Sequence, residues 1–160
     1  MTDLTQIKQK HTFLQDEGVW QVTGEIFDEE NQASALHGWI RVQHQVDHWL
    51  VASHLLLQEK QDQVFQNDFR VEPGDISQGA ALNWTGDDAV LGELRGQFAP
   101  LDDAILSLFY SVDGRYRGSL TWLQKDATVY RLWGMLMDGG RRVAAWTMVL
   151  TRAEEAICYE

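Results

Sequence analysis

The chain has 160 residues, of which 44% are hydrophobic and 23% are charged, a composition typical of one folded globular domain. Its formal net charge of −11 argues against nucleic acid as a partner, because phosphate contacts require a basic surface. No apolar run approaches the roughly 20 residues of a membrane-spanning helix, and no secretory signal is visible. The single cysteine, Cys158, excludes an internal disulfide and fits a reducing compartment. We therefore expect a single-domain cytoplasmic protein without a membrane span.

The N-terminal segment shows helical periodicity. Its apolar and aromatic positions recur three or four residues apart, at Leu4, Ile7, His11 and Leu14. Such a spacing places these side chains on one face of an α-helix. We predict a short helix over residues 1–17, ahead of the first strand.

After residue 17 the hydrophobic period changes to two, which is typical of β-strands. Turn-like clusters such as Asp113-Gly114 separate the predicted strands, which cover residues 18–27, 34–44, 48–58, 63–71, 79–85, 89–98, 104–112, 115–124, 128–137 and 142–151. The connections are too short to cross a sheet, so consecutive strands should be antiparallel neighbours. Closing such a meander removes its exposed edges. We predict an all-β protein, an antiparallel up-and-down barrel of about ten strands over residues 18–152, followed by a tail over 153–160.

Three of the C-terminal segments are apolar on both faces, namely Ile105–Val112, Val129–Met137 and Val143–Leu150. Only one face of a barrel strand can point inward, so the other apolar face needs a cover. The N-terminal helix could cover part of it, and a twofold contact between two copies could cover the rest. We therefore predict a homodimer. The alternative is that a bulge mixes inner and outer residues and that the helix suffices.

Basic residues are concentrated in residues 115–142, which hold six Lys or Arg against two Asp. They either balance acidic neighbours across strands or form a positive site for the carboxylate or phosphate of a small ligand. Arg131 alternates in phase with Trp133 and Met135, and a guanidinium inside an apolar barrel would need an anionic partner. The predicted ligand-binding residues are Arg131, Trp133, Met135, Tyr130, Trp122 and Tyr116. If this face is the outer one, Arg131 is instead solvated.

Seven tryptophans fall inside predicted strands, either as core or as the wall of a pocket. Glycines accompany them on several strands, at Gly92, Gly96, Gly118 and Gly134. A small barrel is either filled by side chains or holds one ligand. These glycines favour a cavity by leaving room inside the barrel, unless they mark bulges.

Four of the five histidines lie in the second predicted hairpin: His37, His44, His48 and His54. Converging imidazoles could bind a metal or a haem iron, but a shift of one residue in the turn would place them on opposite faces. Neither a metal-ligand motif of known spacing nor a nucleophile motif is present. We predict no metal site, no cofactor and no catalytic residue.

Gly18-Val19-Trp20, at the start of the first predicted strand, resembles the Gly-x-Trp start of the calycin superfamily, which includes lipocalins and fatty-acid-binding proteins. In that superfamily a basic residue at the end of the last strand packs across the tryptophan and closes one end of the barrel. The resemblance assigns this role to Arg152. Further lipocalin motifs and disulfides are not recognisable, nor are the paired arginine and tyrosine of the fatty-acid-binding branch.

The predicted function is non-catalytic binding of a small hydrophobic or amphipathic ligand, with or without an acidic group, inside a calycin-like barrel. One alternative is an enzyme on the same barrel, an isomerase or a chromophore-attaching lyase, with Glu25, Glu93 or a histidine as acid or base. Another is a filled barrel that acts as a protein-interaction module through its C-terminal strands.

Overall fold

The structure, a computed structural model, describes residues 10–59 and 64–153. These residues form a closed barrel of ten strands in which every strand is antiparallel to its neighbours in sequence. The first strand pairs with the last, Trp20 lying opposite Arg152 and Ile26 opposite Trp146. The predicted all-β up-and-down barrel is therefore confirmed. In the described ranges no helix is long and apolar enough to cross a membrane.

Where the structure describes the connections between strands, they are turns, with one short 3₁₀ helix, Ile76–Gln78, between the fourth and fifth strands. Their bounds are β1 Gly18–Phe27, β2 Ala33–His44, β3 Trp49–Leu57, β4 Val64–Val71, β5 Leu82–Asp88, β6 Gly92–Leu101, β7 Ala104–Ser111, β8 Tyr116–Asp126, β9 Val129–Asp138 and β10 Arg141–Arg152.

Strands β5 and β6 lie about three residues further along the chain than predicted. The turn between them forms after Asp88, whose Oδ1 accepts the backbone N–H groups of Val90 at 2.8 Å and Leu91 at 2.9 Å. Gly86 stays within β5 because the Phe69 ring packs over it: a Cβ atom there would lie 2.6 Å from Phe69 Cδ1. The cluster Gly86-Asp87-Asp88 therefore ends a strand instead of separating two.

The predicted N-terminal helix is not present in the part of it that the structure describes. Residues 10–17 form a turn in which the Asp16 N–H donates to the Thr12 carbonyl at 3.0 Å. Leu14 has a φ of 71°, a left-handed conformation that a right-handed helix does not accommodate. The remainder of the predicted helix, residues 1–9, lies outside the described residues, as does the tail over 154–160.

The inward faces of the strands meet in a cluster of aromatic rings. Phe13 stacks on Trp122 at 5.5 Å between ring centroids, and Trp20 meets Tyr130 edge-on at 5.4 Å. Phe98 links this group to Trp84, against which Phe69 stacks at 4.3 Å. Aromatic side chains bury large areas and gain additional energy from offset and edge-on contacts. The cluster joins the segment before β1 to strands β1, β4, β5, β6, β8 and β9.

Glycines on neighbouring strands accommodate these rings. Trp84 lies opposite Gly96, and a Cβ atom at Gly96 would be 2.6 Å from Trp84 Cε2. The rings of Phe109 and Trp146 cover Gly118 and Gly134 in the same way. The space that the glycines leave is thus occupied by aromatic rings and is not a cavity at these positions.

We expect Gly96→Ala to destabilise the barrel by about 1–3 kcal/mol, because the added methyl group forces the buried Trp84 ring out of its position. Urea denaturation followed by tryptophan fluorescence would measure the change. Gly140→Ala is the control, since nothing lies within 4 Å of a Cβ atom there. Equal stability of the two variants would show that the packing of the Trp84 ring does not require a glycine at position 96.

Candidate functional site

The two ends of the barrel differ, and one is closed by the segment that precedes β1. Phe13 and Leu14 are completely buried at this end. The segment is tied to the barrel wall by backbone and side-chain bonds: the Thr12 hydroxyl donates to the Ala127 carbonyl at 2.7 Å, and the Gln124 amide donates to the Lys10 carbonyl at 3.0 Å. Residues 10–17 thus form a plug.

The Tyr130 hydroxyl holds the plug through a buried polar network. It accepts the N–H groups of Thr12 at 3.2 Å and Phe13 at 3.4 Å, and lies 2.8 Å from His11 Nδ1. His11 Nε2 donates to the Asp102 carbonyl at 3.0 Å, which leaves Nδ1 to accept the tyrosine proton. Burial raises the pKa of the Tyr130 hydroxyl. Every polar atom of the His11 ring therefore has a partner.

The residues of the calycin-like motif also lie at this end. Arg152 is directly opposite Trp20 in the strand register. Its guanidinium donates to the Asp16 carboxylate at 3.3 Å and to the Glu17 carbonyl at 3.0 Å, and lies next to Gly18. Arg152 therefore joins the end of β10 to the plug.

At the opposite end, several inward-facing apolar side chains are only partly buried. We call them the apolar mouth: Ile26, Leu55, Phe65, Leu91, Leu136 and Trp146. Phe65 is 39% exposed, whereas Trp20 and Phe98, at the plugged end, are at most 1% exposed. The described part of the chain thus closes one end of the barrel and leaves an apolar surface accessible at the other.

Three arginines lie on one side of the apolar mouth, in the turn between β7 and β8 and at the start of β10. Arg115 pairs with Asp138 at 3.2 Å and lies over the Tyr116 ring at 4.9 Å. Arg141 pairs with Glu29 at 3.4 Å, and Arg142 donates to the Asp28 carbonyl at 3.0 Å. We call Arg115, Arg141 and Arg142 the basic rim. These guanidinium groups remain in contact with water, where they can exchange one carboxylate for another.

Among the side chains that the structure describes, one buried polar atom lacks a hydrogen-bond partner. Trp122 Nε1 is a buried N–H donor without a hydrogen-bond acceptor among the described residues. Buried donors in native proteins nearly always have a partner, which can be a water molecule or a ligand. The indole packs between Phe13 and Phe98 and is 4% exposed, so it lies deeper than the mouth.

The structure divides the predicted ligand-binding residues among three places. Trp122 and Tyr130 are in the interior at the plugged end, and Tyr116 lies beside the basic rim. The other three are on the outer surface: Arg131, Trp133 and Met135. The Arg131 guanidinium lies over the Trp133 ring at 4.9 Å. This arrangement corresponds to the alternative in which Arg131 faces outward.

The two glutamates considered as acid or base are also on the outer surface. Glu25 is exposed, and Glu93 pairs with Arg95 at 3.3 Å. The carboxylates near the mouth are instead Asp138 and Asp88, and the Asn67 amide, oriented to donate, reaches Asp88 Oδ2 at 2.7 Å.

The four histidines of the second hairpin do not share one site. His54 stacks on Trp39 at 5.7 Å, while His44 stacks on Trp49 at 4.1 Å and donates to the Leu14 carbonyl at 2.7 Å. His48 bonds to the neighbouring Asp47, and His37 is exposed on β2. Within residues 10–59 and 64–153, no group of three His, Cys, Asp or Glu side chains is arranged to hold a metal ion.

A polar groove of about 720 Å³ crosses the outer wall where β4 and β5 pair over only four positions. Its lining includes Gln66, Asp68, Arg70, Asp87 and Glu93. Because these side chains are charged and solvated, the groove suits an apolar ligand less well than the mouth does.

Sequence reasoning missed Trp146 and Leu136 as residues of an accessible site, and it did not single out Arg115 or Arg141 among the basic residues. The excess of basic residues in 115–142 was the available signal for the rim, because its three arginines all lie within this range. The available signal for the plugged end was the resemblance carried by Gly18-Val19-Trp20 and Arg152, which lie at this end.

The closed ten-strand meander, with Trp20 near the start of β1 opposite Arg152 at the end of β10, fits the calycin-like fold that the sequence resemblance predicts. No protein-family profile and no curated protein sequence matches the chain. Among solved structures, it is similar to the S-type phycobiliprotein lyase CPES from Guillardia theta, with a TM-score of 0.67 and 8% sequence identity. The match covers 90% of this chain and 92% of the lyase chain. At this identity the likeness concerns the fold alone.

We expect Tyr130→Phe to destabilise the protein by about 1–3 kcal/mol, because it leaves His11 and two plug N–H groups without their partner. The raised pKa of Tyr130 means that the folded state favours the neutral phenol. Wild-type stability should therefore fall as pH rises above about 10.0, the usual tyrosine pKa, and through the raised value. The stability of Tyr130→Phe should not show this decrease at high pH, because the variant has no phenol to ionise at this position. Urea denaturation at several pH values measures both effects.

Tyr110→Phe is the control, because this tyrosine is 50% exposed on the outer surface. If both variants lost the same stability, the plug would not depend on the Tyr130 hydroxyl.

Proposed function

We propose that the protein binds a small amphipathic molecule, with its apolar part in the apolar mouth and an acidic group at the basic rim. The observation that carries this proposal is the difference between the two barrel ends. Among the described residues, Phe13, Trp20 and Phe98 are buried at the plugged end, whereas the six side chains of the apolar mouth are only partly buried. Covering apolar surface contributes about 25 cal/mol per Å², so an apolar ligand that fits the mouth gains affinity there.

The basic rim favours an acidic group on this ligand. The whole chain carries a net charge of −11, which repels anions from most of its surface. Arg115 and Arg141 form a local exception beside the mouth, and both hold carboxylates already, at Asp138 and Glu29. A ligand carboxylate could replace these partners in a charge-assisted hydrogen bond, the geometry that guanidinium groups favour.

A matched pair of variants on β3 tests the site. Leu55 faces inward at the mouth, whereas Leu56, the next residue, faces outward. We expect a long-chain fatty acid to bind the wild type saturably and to quench tryptophan emission, since Trp146 lines the mouth. Leu55→Glu should weaken this binding at least about tenfold, because the ligand would face a carboxylate in an apolar site. Leu56→Glu should leave the binding unchanged.

Circular dichroism confirms that both variants are folded before they are compared. The corresponding fatty alcohol provides a second comparison: Arg141→Gln should weaken the acid more than the alcohol, and Arg41→Gln, on the outer face of β2, should affect neither. Equal loss of binding in both leucine variants, or no saturable binding by the wild type, would contradict a ligand site in the mouth.

A second candidate function is chromophore attachment, which the similarity to a phycobiliprotein lyase favours. Such an enzyme would hold its chromophore in the mouth and transfer it to an acceptor protein. Asp138 and Asp88 lie at inward positions at this end of the barrel and are the candidates for proton transfer in this reaction.

If the protein is such a lyase, we expect it to accelerate the covalent attachment of a linear tetrapyrrole to a cysteine-containing acceptor protein. The increase in the mass of the acceptor measures this attachment. Asp138→Asn should slow attachment while the tetrapyrrole still binds, whereas Asp113→Asn, in the neighbouring turn, should not. If the tetrapyrrole binds but the acceptor gains mass no faster than without the protein, the protein binds its ligand without catalysis.

A further inference from the structure

The outer surface of β7 to β10 exposes large apolar side chains that the barrel interior does not use. We call them the outer apolar face: Leu108, Tyr110, Trp133, Met135 and Val149. Leu108 is 77% exposed and Met135 is 43% exposed. Leu108 with Tyr110 on β7, and Trp133 with Met135 on β9, form two apolar pairs on this surface, and the polar positions Ser119 and Thr121 of β8 lie between them. Soluble proteins seldom group large exposed apolar side chains in this way unless they contact a partner.

Two arginines lie within this face. Arg117 is paired with Tyr110 in the strand register, and Arg131 with Val149. Neither forms an ion pair with any residue in the described part of the chain. Residues 104–152 contain seven Lys or Arg against three Asp, in a chain whose net charge is −11. Of these seven basic residues, Arg117 and Arg131 lie on the outer apolar face itself, which therefore carries positive charge in an acidic protein.

We propose that the outer apolar face docks a partner protein whose contacting surface is both apolar and acidic. Trp133, Tyr110 and the two arginines are the residue types that contribute most to protein interfaces. The Arg131 guanidinium lies over the Trp133 ring at 4.9 Å, which holds its charge in place for a carboxylate. Complementary charge across the interface steers association and selects the partner.

The charges argue against two other occupants. In a twofold dimer, Arg117 and Arg131 of one copy would share the interface with the same two arginines of the other copy, and like charges at an interface disfavour association. A protein that binds to a bilayer surface inserts apolar side chains about 5–10 Å into the lipid headgroup region. The outer apolar face instead lies along the middle of strands on the barrel wall.

A synthetic amphipathic helix with leucines on one side and glutamates on the other serves as the probe. We expect saturable binding by fluorescence anisotropy that weakens at about 1 M salt, where charges are screened beyond about 3 Å. Arg131→Glu should weaken binding at least about tenfold, since it reverses one interfacial charge. Met135→Glu should do the same. The version of the peptide with lysines in place of glutamates should not bind.

Arg41→Glu is the matched control, because Arg41 also lies over an indole, that of Trp39 at 5.4 Å, but on β2 and outside the face. It should leave binding unchanged. The proposal is overturned if the acidic peptide does not bind, or if Arg41→Glu and Arg131→Glu weaken binding equally. It is also overturned if Met135→Glu dissociates a dimer in sedimentation velocity, or releases the protein from phosphatidylglycerol vesicles. Either result would assign the face to a second copy or to a membrane.

Discussion

Closure of this barrel depends on the packing of aromatic rings on one strand over glycines on the next. Trp84 covers Gly96, and Trp146 covers Gly134, so each ring occupies the space of its neighbour's missing side chain. Large rings thereby fill a narrow interior at the density of a protein core without forcing the strands apart. Phe13 of the plug stacks on Trp122 in the same aromatic cluster, which is why the plug seats at this end.

The asymmetry between the two ends follows from this packing and determines where a ligand can enter. One end is held shut by the Tyr130 hydroxyl and its partners in the plug, which are buried and fully bonded. The other presents the apolar mouth and the basic rim. The outer apolar face lies on the wall and not at an end, so a ligand in the mouth and a partner on the wall would not compete for the same side chains.

Local chemistry accounts for the parts of the structure that sequence reasoning predicted. The bounds of β1 agree with the predicted residues 18–27 because alternation and a glycine at the start are both local signals. The predicted helix was wrong over the described residues 10–17, since Leu14 adopts a left-handed conformation that its helical spacing does not reveal. Tertiary contacts also explain why the turn between β5 and β6 lies later in the chain than predicted, since the Phe69 ring packs over Gly86 within β5.

The sequence by itself determined that the chain alternates with a period of two, that its C-terminal strands are apolar on both faces, and that basic residues concentrate in 115–142. Only the tertiary structure decided which face points inward. An alternating pattern is compatible with either orientation, since a shift of one residue in the pairing exchanges the faces. In this barrel Trp122 pairs with Leu132 inside, which places Arg131 opposite Leu123 on the outer surface. The register of β8 with β9 thus determines which side chains face the barrel interior and the candidate ligand site, and which lie on the outer face proposed to dock a partner.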